Sequence, residues 1–200
     1  MKPAALDYAL IEQARQQQPE AFRKLFEIYQ TPVYNFVMRM TGRPQDAEDV
    51  VQEVFIKIHR KLETLKDARY FTTWLFSIAK NEAINFSRRH CGRRFHSLDD
   101  PDDERAEAVS ATNNARAENP EHVTADRELE HLLQAALEKV PEINRAAFIL
   151  GVLEEYSYKE VAEILGCTEN NVKSRVFRAR AVISEKLGPY LKASRTVTEQ

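Results

Sequence analysis

The chain has 200 residues, 43% of them hydrophobic and 30% charged, and its net charge at pH 7 is −2. This composition predicts a folded soluble protein of one or two compact modules. Only Cys91 and Cys167 are present, without other Cys or His residues at metal-ligand spacing, which argues against a disulfide framework and a zinc site. Since there is no basic-then-apolar leader and no apolar run of about 20 residues, we expect a protein of the reducing cytoplasm that is neither secreted nor inserted in a membrane.

The acidic side chains are concentrated in the middle of the chain. Residues 1–95 carry 16 basic and 11 acidic side chains, residues 96–130 carry 3 and 11, and residues 131–200 carry 10 and 9. The net charge alone argues weakly against a nucleic-acid partner, because binding a polyanion needs a basic surface. After residue 168, however, seven basic side chains outnumber three acidic ones, which indicates a local basic stripe.

The spacing of apolar residues predicts an all-α protein. Apolar side chains recur three and four residues apart almost everywhere outside residues 97–126, and glycine is scarce. We place the first helices at 8–17, 20–40 with a kink or break at Pro32, 44–63 and 71–90. We place the others at 127–139, 142–154, 158–165 and 168–187, the last ending at Gly188-Pro189. The prediction is two small helical domains, residues 1–95 and 127–200, joined by a flexible acidic linker.

The linker, residues 96–126, is rich in acids, Asn, Ala and Pro and has almost no large apolar side chains. It cannot bury enough surface to fold alone. One interpretation is a solvated tether. The other is a tether that enters a positively charged channel on a partner.

The helix predicted at 44–63 has an apolar side chain on its polar side. Its buried side consists of Val50, Val51, Val54, Phe55, Ile58 and Leu62. On the other side, Ile56 projects among Asp49, Gln52 and Glu53, which suits a protein interface. A single exposed isoleucine is also common on surfaces that bind nothing.

The segment that begins at Lys66 interleaves aromatic and basic side chains, a pattern that can stack unpaired bases and follow a phosphate backbone. We predict that Trp74, Leu75 and Ile78 lie in the core. The better candidates for nucleic-acid binding are Lys66, Arg69, Tyr70, Asn81, Arg88 and Arg89.

Residues 156–180 have the spacing of a helix-turn-helix. Val161, Ala162 and Leu165 form the apolar face of its first helix, Gly166 permits the tight turn, and Thr168 can cap the second helix.

The second helix has one apolar and one basic face. Its predicted inward seam is Val172, Val176, Ala179, Ile183 and Leu187. Arg, Lys and Ser can read base edges, an aromatic ring can contact a thymine methyl, and flanking arginines suit phosphates. A solvated basic face is the alternative, but it explains an exposed Phe177 poorly. The candidate DNA-binding residues are Asn171, Lys173, Ser174, Arg175, Phe177, Arg178 and Arg180.

Together these motifs resemble the extracytoplasmic-function (ECF) group of the sigma-70 family of bacterial sigma factors, over nearly the whole chain. Residues 49–57, DVVQEVFIK, resemble region 2.2, and residues 71–83, FTTWLFSIAKNEA, resemble regions 2.3 and 2.4. Residues 158–180 are similar to region 4.2. The linker is similar in kind only, and a separate region 3 domain is missing.

The resemblance implies a transcription initiation factor with no cofactor and no catalytic residue. Asp49, Gln52, Glu53 and Ile56 would bind the β′ clamp helices of core RNA polymerase, whose β flap is a further expected contact. Asn81 and the loop before its helix would capture a flipped −10 base of promoter DNA, and the helix-turn-helix would read the −35 element. An anti-sigma factor is the implied inhibitor, and a role in stress response is typical of the group.

Two other classes of protein fit the sequence less well. A stand-alone helix-turn-helix regulator leaves the N-terminal module without a role. An enzyme is not expected, because we find no nucleophile with a base, no phosphate-binding loop and no metal-ligand cluster. The five histidines, at 59, 90, 96, 122 and 131, have no evident partner in the sequence.

Overall fold

The computed structural model describes residues 7–94 and 120–198, and these ranges contain helices and no strand. The first four helices are α1 (Tyr8–Arg15), α2 (Pro19–Thr41), α3 (Pro44–Lys61) and α4 (Phe71–Arg94). The next four are α5 (Pro120–Lys139), α6 (Glu142–Phe148), α7 (Tyr158–Leu165) and α8 (Glu169–Thr198). Short 3₁₀ turns cover Leu62–Thr64 and Ala68–Tyr70, and one π-helical turn covers Ile149–Leu153. The all-α prediction is confirmed.

The predicted break at Pro32 and the predicted helix end at Gly188-Pro189 are wrong. Helix α2 runs through Pro32 without a break. Proline leaves the carbonyl four residues earlier without its donor, and here that residue is Ile28, on the exposed side of the helix. Helix α8 continues through Gly188-Pro189 to Thr198. Because Gly188 has no β-carbon, it avoids part of the clash that proline imposes on the residue before it.

Helix α5 begins at Pro120, within the predicted linker, and seven residues before its predicted start at 127. A proline is well tolerated in the first turn of a helix, where no N–H is needed. The rest of the linker prediction, residues 96–119, lies outside the described residues.

The two helical sets pack on each other and share one core. Helix α4 contacts α7, and α2 contacts α5 and α6. Across this boundary the ring of Phe76 lies edge-on to that of the buried Tyr156, with centroids 5.3 Å apart. Burial raises the pKa of the Tyr156 hydroxyl, so this side chain stays neutral in the contact.

Arg145 of α6 caps the ends of two helices at once. Its Nη1 donates to the carbonyl of Met40, at 2.6 Å, and its Nη2 donates to that of Glu138, at 3.0 Å. These carbonyls belong to the last turns of α2 and α5, where the helix provides no donor and the partial charge is negative. A buried cation is therefore placed where two helix ends stabilise it, and one of these ends belongs to the other domain.

The end of α7 is capped in the same way from the other domain. The carbonyl of Ile164 accepts from Lys80 Nζ of α4 at 3.4 Å. It also lies 3.1 Å from Ser77 Oγ of α4, whose single hydrogen is shared with the carbonyl of Thr73 at 2.8 Å. A further ion pair joins Arg39 of α2 to the buried Glu154, at 3.3 Å. Polar contacts across the boundary are thus made mainly by helix ends and cations.

Candidate nucleic-acid and polymerase-binding surfaces

The turn between α7 and α8 has the predicted helix-turn-helix geometry. Ser157 and Glu160 form a capping box at the start of α7, and Gly166 ends that helix with φ +63°. This left-handed conformation favours glycine. Thr168 Oγ1 accepts from the backbone N–H of Asn171 at 3.3 Å, which confirms the predicted cap of the second helix.

Helix α8 presents the predicted polar face to solvent. Val172, Val176 and Ala179 are buried, whereas the phenyl ring of Phe177 is 74% exposed. A phenyl ring with this exposure on a well-packed helix contributes nothing to the core. The exposed side chains around it are Asn171, Lys173, Ser174, Arg178 and Arg180.

Arg175 differs from the other six candidates on α8, because it is partly buried. Its Nη1 lies 3.3 Å from Cys167 Sγ in the turn. Burial, and then the charge of Arg175, lower the pKa of Lys80 on α4. The guanidinium of Arg175 therefore lies against the turn between α7 and α8.

The candidate polymerase-binding residues share one exposed face of α3. Asp49, Gln52 and Glu53 are exposed, and Ile56 is 37% exposed among them. On the flank of this face, Lys57 Nζ contacts Glu82 Oε2 of α4 at 2.6 Å. Because Glu82 is nearly buried, this ion pair holds α3 against the helix that carries Asn81.

In the 3₁₀ turn before α4, Arg69 is paired with Asp67. Asp67 accepts from Arg69 Nη2 at 2.7 Å and from Nε at 3.0 Å, and it also accepts from the Arg69 backbone N–H. These hydrogen bonds lower the pKa of Asp67 and raise that of Arg69. Tyr70 is 53% exposed beside this pair, and Lys66 is exposed as well.

The candidates further along α4 are exposed. The side chain of Asn81 is exposed to solvent. Arg88 Nε lies 3.6 Å from Glu142 of the other domain, and Arg89 Nε donates to the carbonyl of Asn85. Of the three predicted core residues, Leu75 is fully buried, whereas Trp74 and Ile78 are partly buried against the core.

One exposed aromatic side chain near these candidates was missed by the sequence analysis. Tyr8, the first residue of α1, is 52% exposed, and α1 packs on the turn that holds Arg69. Tyr8 precedes that turn by about sixty residues, and its own helix has no basic or aromatic pattern. No sequence signal other than an aromatic residue at a helix start pointed to it.

Neither metal binding nor membrane insertion is indicated by the described ranges. They contain no group of three His, Cys, Asp or Glu side chains able to hold a metal ion. No helix in them combines the length and apolar character that crossing a bilayer requires.

These features define a two-domain helical protein with a helix-turn-helix in its second domain. Residues 25–92 match the family Sigma-70 region 2, and residues 130–183 match Sigma-70, region 4. The ECF RNA polymerase sigma-E factor of Haemophilus influenzae is 35% identical over 185 residues, 92% of this chain and 97% of that protein. The sigma-E factor of Escherichia coli strain K12 is 35% identical over 192 residues, 96% of this chain and all of that protein.

Solved structures show the same fold. The sigma factor RpoE from Bartonella quintana, in complex with the anti-sigma factor NepR, has a TM-score of 0.62 and 25% identity, covering 84% of this chain and 96% of that one. CnrH in complex with the cytosolic domain of CnrY has a TM-score of 0.66 and 22% identity, covering 92% of this chain and 99% of that one. The chain belongs to the ECF sigma factors of the sigma-70 family, which are transcription initiation factors rather than enzymes.

Proposed function

We propose that this sigma factor, bound to RNA polymerase, reads two promoter elements, the −35 element as a duplex and the −10 element as an opened strand. Residues 1–95 bind the polymerase and the −10 element, residues 96–126 link the domains, and residues 127–200 bind the −35 element. The observation that carries the proposal is Phe177, which is 74% exposed among hydrogen-bonding and basic side chains on one face of α8. A helix-turn-helix places such a face in the major groove.

At the −35 element, Lys173, Ser174, Phe177 and Arg178 contact base edges, and Arg180 contacts phosphates. The N–H groups at the start of α8, together with Asn171, bind the DNA backbone. Arg175 also lies on the flank of this face. It contacts a phosphate only if its guanidinium turns away from Cys167.

At the −10 element, Asn81 holds a base that has left the stack, and Lys66, Arg69, Tyr70, Arg88 and Arg89 bind the strand around it. Unstacking a base costs a few kcal/mol, which contacts to the extruded base offset. Opening depends on sequence because only certain bases form those contacts. No side chain acts as an acid, base or nucleophile in this mechanism.

Two protein partners belong to the proposal. Core RNA polymerase binds the face formed by Asp49, Gln52, Glu53 and Ile56 through its β′ clamp helices, and its β flap binds the second domain. An exposed Ile56 surrounded by polar side chains matches the apolar centre and polar rim of a small protein interface. An anti-sigma factor is the proposed inhibitor, supported by the similar fold of the Bartonella protein, which was solved with one.

Run-off transcription tests the proposal. The chain, core polymerase and a library of random promoter-length templates are combined, and transcribed templates are selected and sequenced. We expect enrichment of two separated sequence elements. If no template is transcribed above the background of core polymerase alone, the proposal is wrong. Binding of duplex DNA equally well without polymerase would favour a stand-alone regulator instead.

The two arginines of α8 are expected to differ in their effect on specificity. Arg178→Ala should weaken binding to the preferred −35 sequence by about 1–3 kcal/mol and relax the preference at one base pair. Arg180→Ala should weaken binding to all −35 sequences similarly and make binding less dependent on salt, because it removes a phosphate contact. Holoenzyme binding to single-base variants of the −35 element measures both effects. A uniform effect of both substitutions would remove the base-reading role from Arg178.

A further inference from the structure

Asn170 lies in the first turn of α8, and nothing in the proposed function so far uses its side chain. At about 100° per residue, it points within about 40° of Ser174 and Phe177 and about 140° away from the buried Val172 and Val176. The side chains of Asn170, Ser174 and Phe177 are all exposed. Asn170 is therefore the first member of the row of side chains that faces outward along this helix.

Asn171, the next residue, points in a different direction. One step along the helix turns its side chain about 100° away from that of Asn170 and toward the side of Arg175. A helix-turn-helix places the N-terminal residues of its second helix against base edges in the major groove, so side chains on the flanks of that helix meet the phosphates that line the groove. Of the two asparagines, Asn170 therefore faces the bases and Asn171 faces the backbone.

The fold itself does not need an asparagine at position 170. Asparagine is common at helix starts because its side chain can cap free N–H groups, but here Thr168 is the cap and accepts from the backbone of Asn171. The exposed side chain of Asn170 adds nothing to the core. Away from a cap, asparagine also favours a helix less than alanine does. Its carboxamide is thus available for a ligand.

The carboxamide of an asparagine is complementary to one base. It carries an acceptor oxygen and a donor NH₂ group side by side in one plane. In the major groove only adenine presents the matching pair, a donor at N6 next to an acceptor at N7, and asparagine binds it with two hydrogen bonds. Guanine presents two acceptors, thymine an acceptor and a methyl group, and cytosine a donor alone. An asparagine that faces the groove from α8 therefore selects adenine.

The distance between Asn170 and Arg178 limits where this adenine lies. Arg178, which follows Asn170 by about two helical turns, is about 12 Å away along the axis of α8. Base pairs are stacked about 3.4 Å apart, so this distance spans about three to four of them when the helix runs parallel to the DNA axis. A helix that follows the groove at an angle spans fewer. The adenine is therefore about two to four base pairs from the guanine that suits Arg178.

We infer that Asn170 reads an adenine of the −35 element, about two to four base pairs from a guanine read by Arg178. This inference rests on the proposed function. It adds a base-specific contact at the N-terminal end of the exposed face of α8, where the proposed function has only contacts to the DNA backbone. The first turn of α8 then determines part of the promoter sequence that this sigma factor selects.

The test uses the complete chain in holoenzyme and a promoter fragment chosen from transcribed templates. Each base pair of its −35 element is replaced in turn by the other three, and the affinity for each fragment is measured. With the natural chain, we expect adenine to be preferred at one position about two to four base pairs from a preferred guanine. Asn170→Ala should weaken binding to the adenine fragment by about 5- to 100-fold and remove the preference at that position. Its affinity for fragments already changed there should stay close to that of the natural chain.

A modified base gives a sharper measurement. 7-Deazaadenine lacks the N7 acceptor but keeps the N6 amino group and still pairs with thymine. At the preferred position it should weaken binding of the natural chain by about 2- to 10-fold, because one hydrogen bond is lost, and leave binding of Asn170→Ala unchanged. This difference separates a direct contact with the base from an indirect effect of the substitution on the helix.

Asn171→Ala is the matched control, because it removes the same chemical group from the next residue of α8. It should weaken binding to all −35 sequences alike and leave the adenine preference intact. Because both asparagines are exposed, neither substitution should change the melting temperature or the affinity for core polymerase.

Three results would overturn the inference. If the natural holoenzyme selects a −35 sequence and Asn170→Ala keeps the same preference at every position, Asn170 reads no base, while the proposed function stands. If Asn170→Ala weakens binding to all sequences alike, its side chain contacts the DNA backbone instead of a base. If the natural holoenzyme transcribes no template, the proposed function fails and the role of Asn170 fails with it.

Discussion

Replacing Arg145 by methionine is expected to lower the free energy of unfolding by about 3 kcal/mol or more, the largest effect of any single substitution considered for this chain. Arg145 is 8% exposed and donates to the carbonyls of Met40, Glu138 and Val140. Methionine fills a similar volume but donates nothing. Buried carbonyls would lose charged hydrogen bonds, and each acceptor left unsatisfied costs about 1–3 kcal/mol.

Urea denaturation followed by circular dichroism measures this effect. Arg178→Met is the matched control, since Arg178 is an exposed arginine on a helix, and it should change the stability by less than about 0.5 kcal/mol. Arg145→Lys should recover only part of the loss. Its ammonium group keeps the charge but lacks the planar set of N–H donors with which the guanidinium reaches two helix ends. A loss below about 1 kcal/mol for Arg145→Met would show that the double cap contributes little to folding.

Asn81→Ala is expected to reduce opening of a duplex promoter by about 10- to 100-fold while leaving the fold intact. The amide is exposed in the free protein, so its removal costs no packing. In the proposed open complex it is hydrogen-bonded to the captured base, and losing such a partner costs about 1–3 kcal/mol. Permanganate reactivity of unpaired thymines in the holoenzyme complex measures the opened fraction.

A template with a premelted −10 region provides the decisive comparison for Asn81. Because its bases are already unpaired, Asn81→Ala should transcribe it with only a small defect. Asn85→Ala, which removes the same group one turn further along α4, should act weakly on both templates. An equal defect of Asn81→Ala on duplex and premelted templates would mean that Asn81 acts after opening.

The sequence predicted local faces well. Periodicity placed Ile56 and Phe177 outside and Val172, Val176 and Leu75 inside, because alternation of apolar and polar residues reflects burial directly. The cap at Thr168 and the turn at Gly166 were also predicted correctly, because these residue types favour those backbone positions. These are properties that a few neighbouring residues determine.

Contacts between distant segments could not be predicted from those patterns. Arg145 lies in a short helix that also carries Glu142 and Asn144. Nothing near it in sequence indicates that it caps the end of α2, more than a hundred residues earlier. Tyr8 and Arg69 are likewise far apart in the sequence. Pro32 was also expected to interrupt α2, but the residue whose carbonyl loses its donor, Ile28, lies on the exposed side of the helix, and this exposure depends on how α2 packs. The interruption at Gly188-Pro189 was a similar error.

The cross-domain contacts have a consequence for reach along DNA. Promoter elements named −35 and −10 lie about 25 base pairs apart, which is about 85 Å at 3.4 Å per base pair. A compact body of this size has a radius of gyration of about 15 Å, so the packed arrangement is too small to cover both elements. The 25 residues between Arg94 and Pro120 can extend to about 85 Å, enough for the domains to part.

A chain that reads both elements must therefore break the bonds of Arg145 to Met40, of Arg39 to Glu154, and of Ser77 and Lys80 to Ile164. The measured dissociation constant then equals the intrinsic one divided by the fraction of molecules that are extended, so each 1.4 kcal/mol of domain packing weakens binding about tenfold. On the proposed function, the contacts between the two domains therefore set part of the affinity for the promoter. Their strength would then determine how much free sigma factor is needed for a given promoter occupancy.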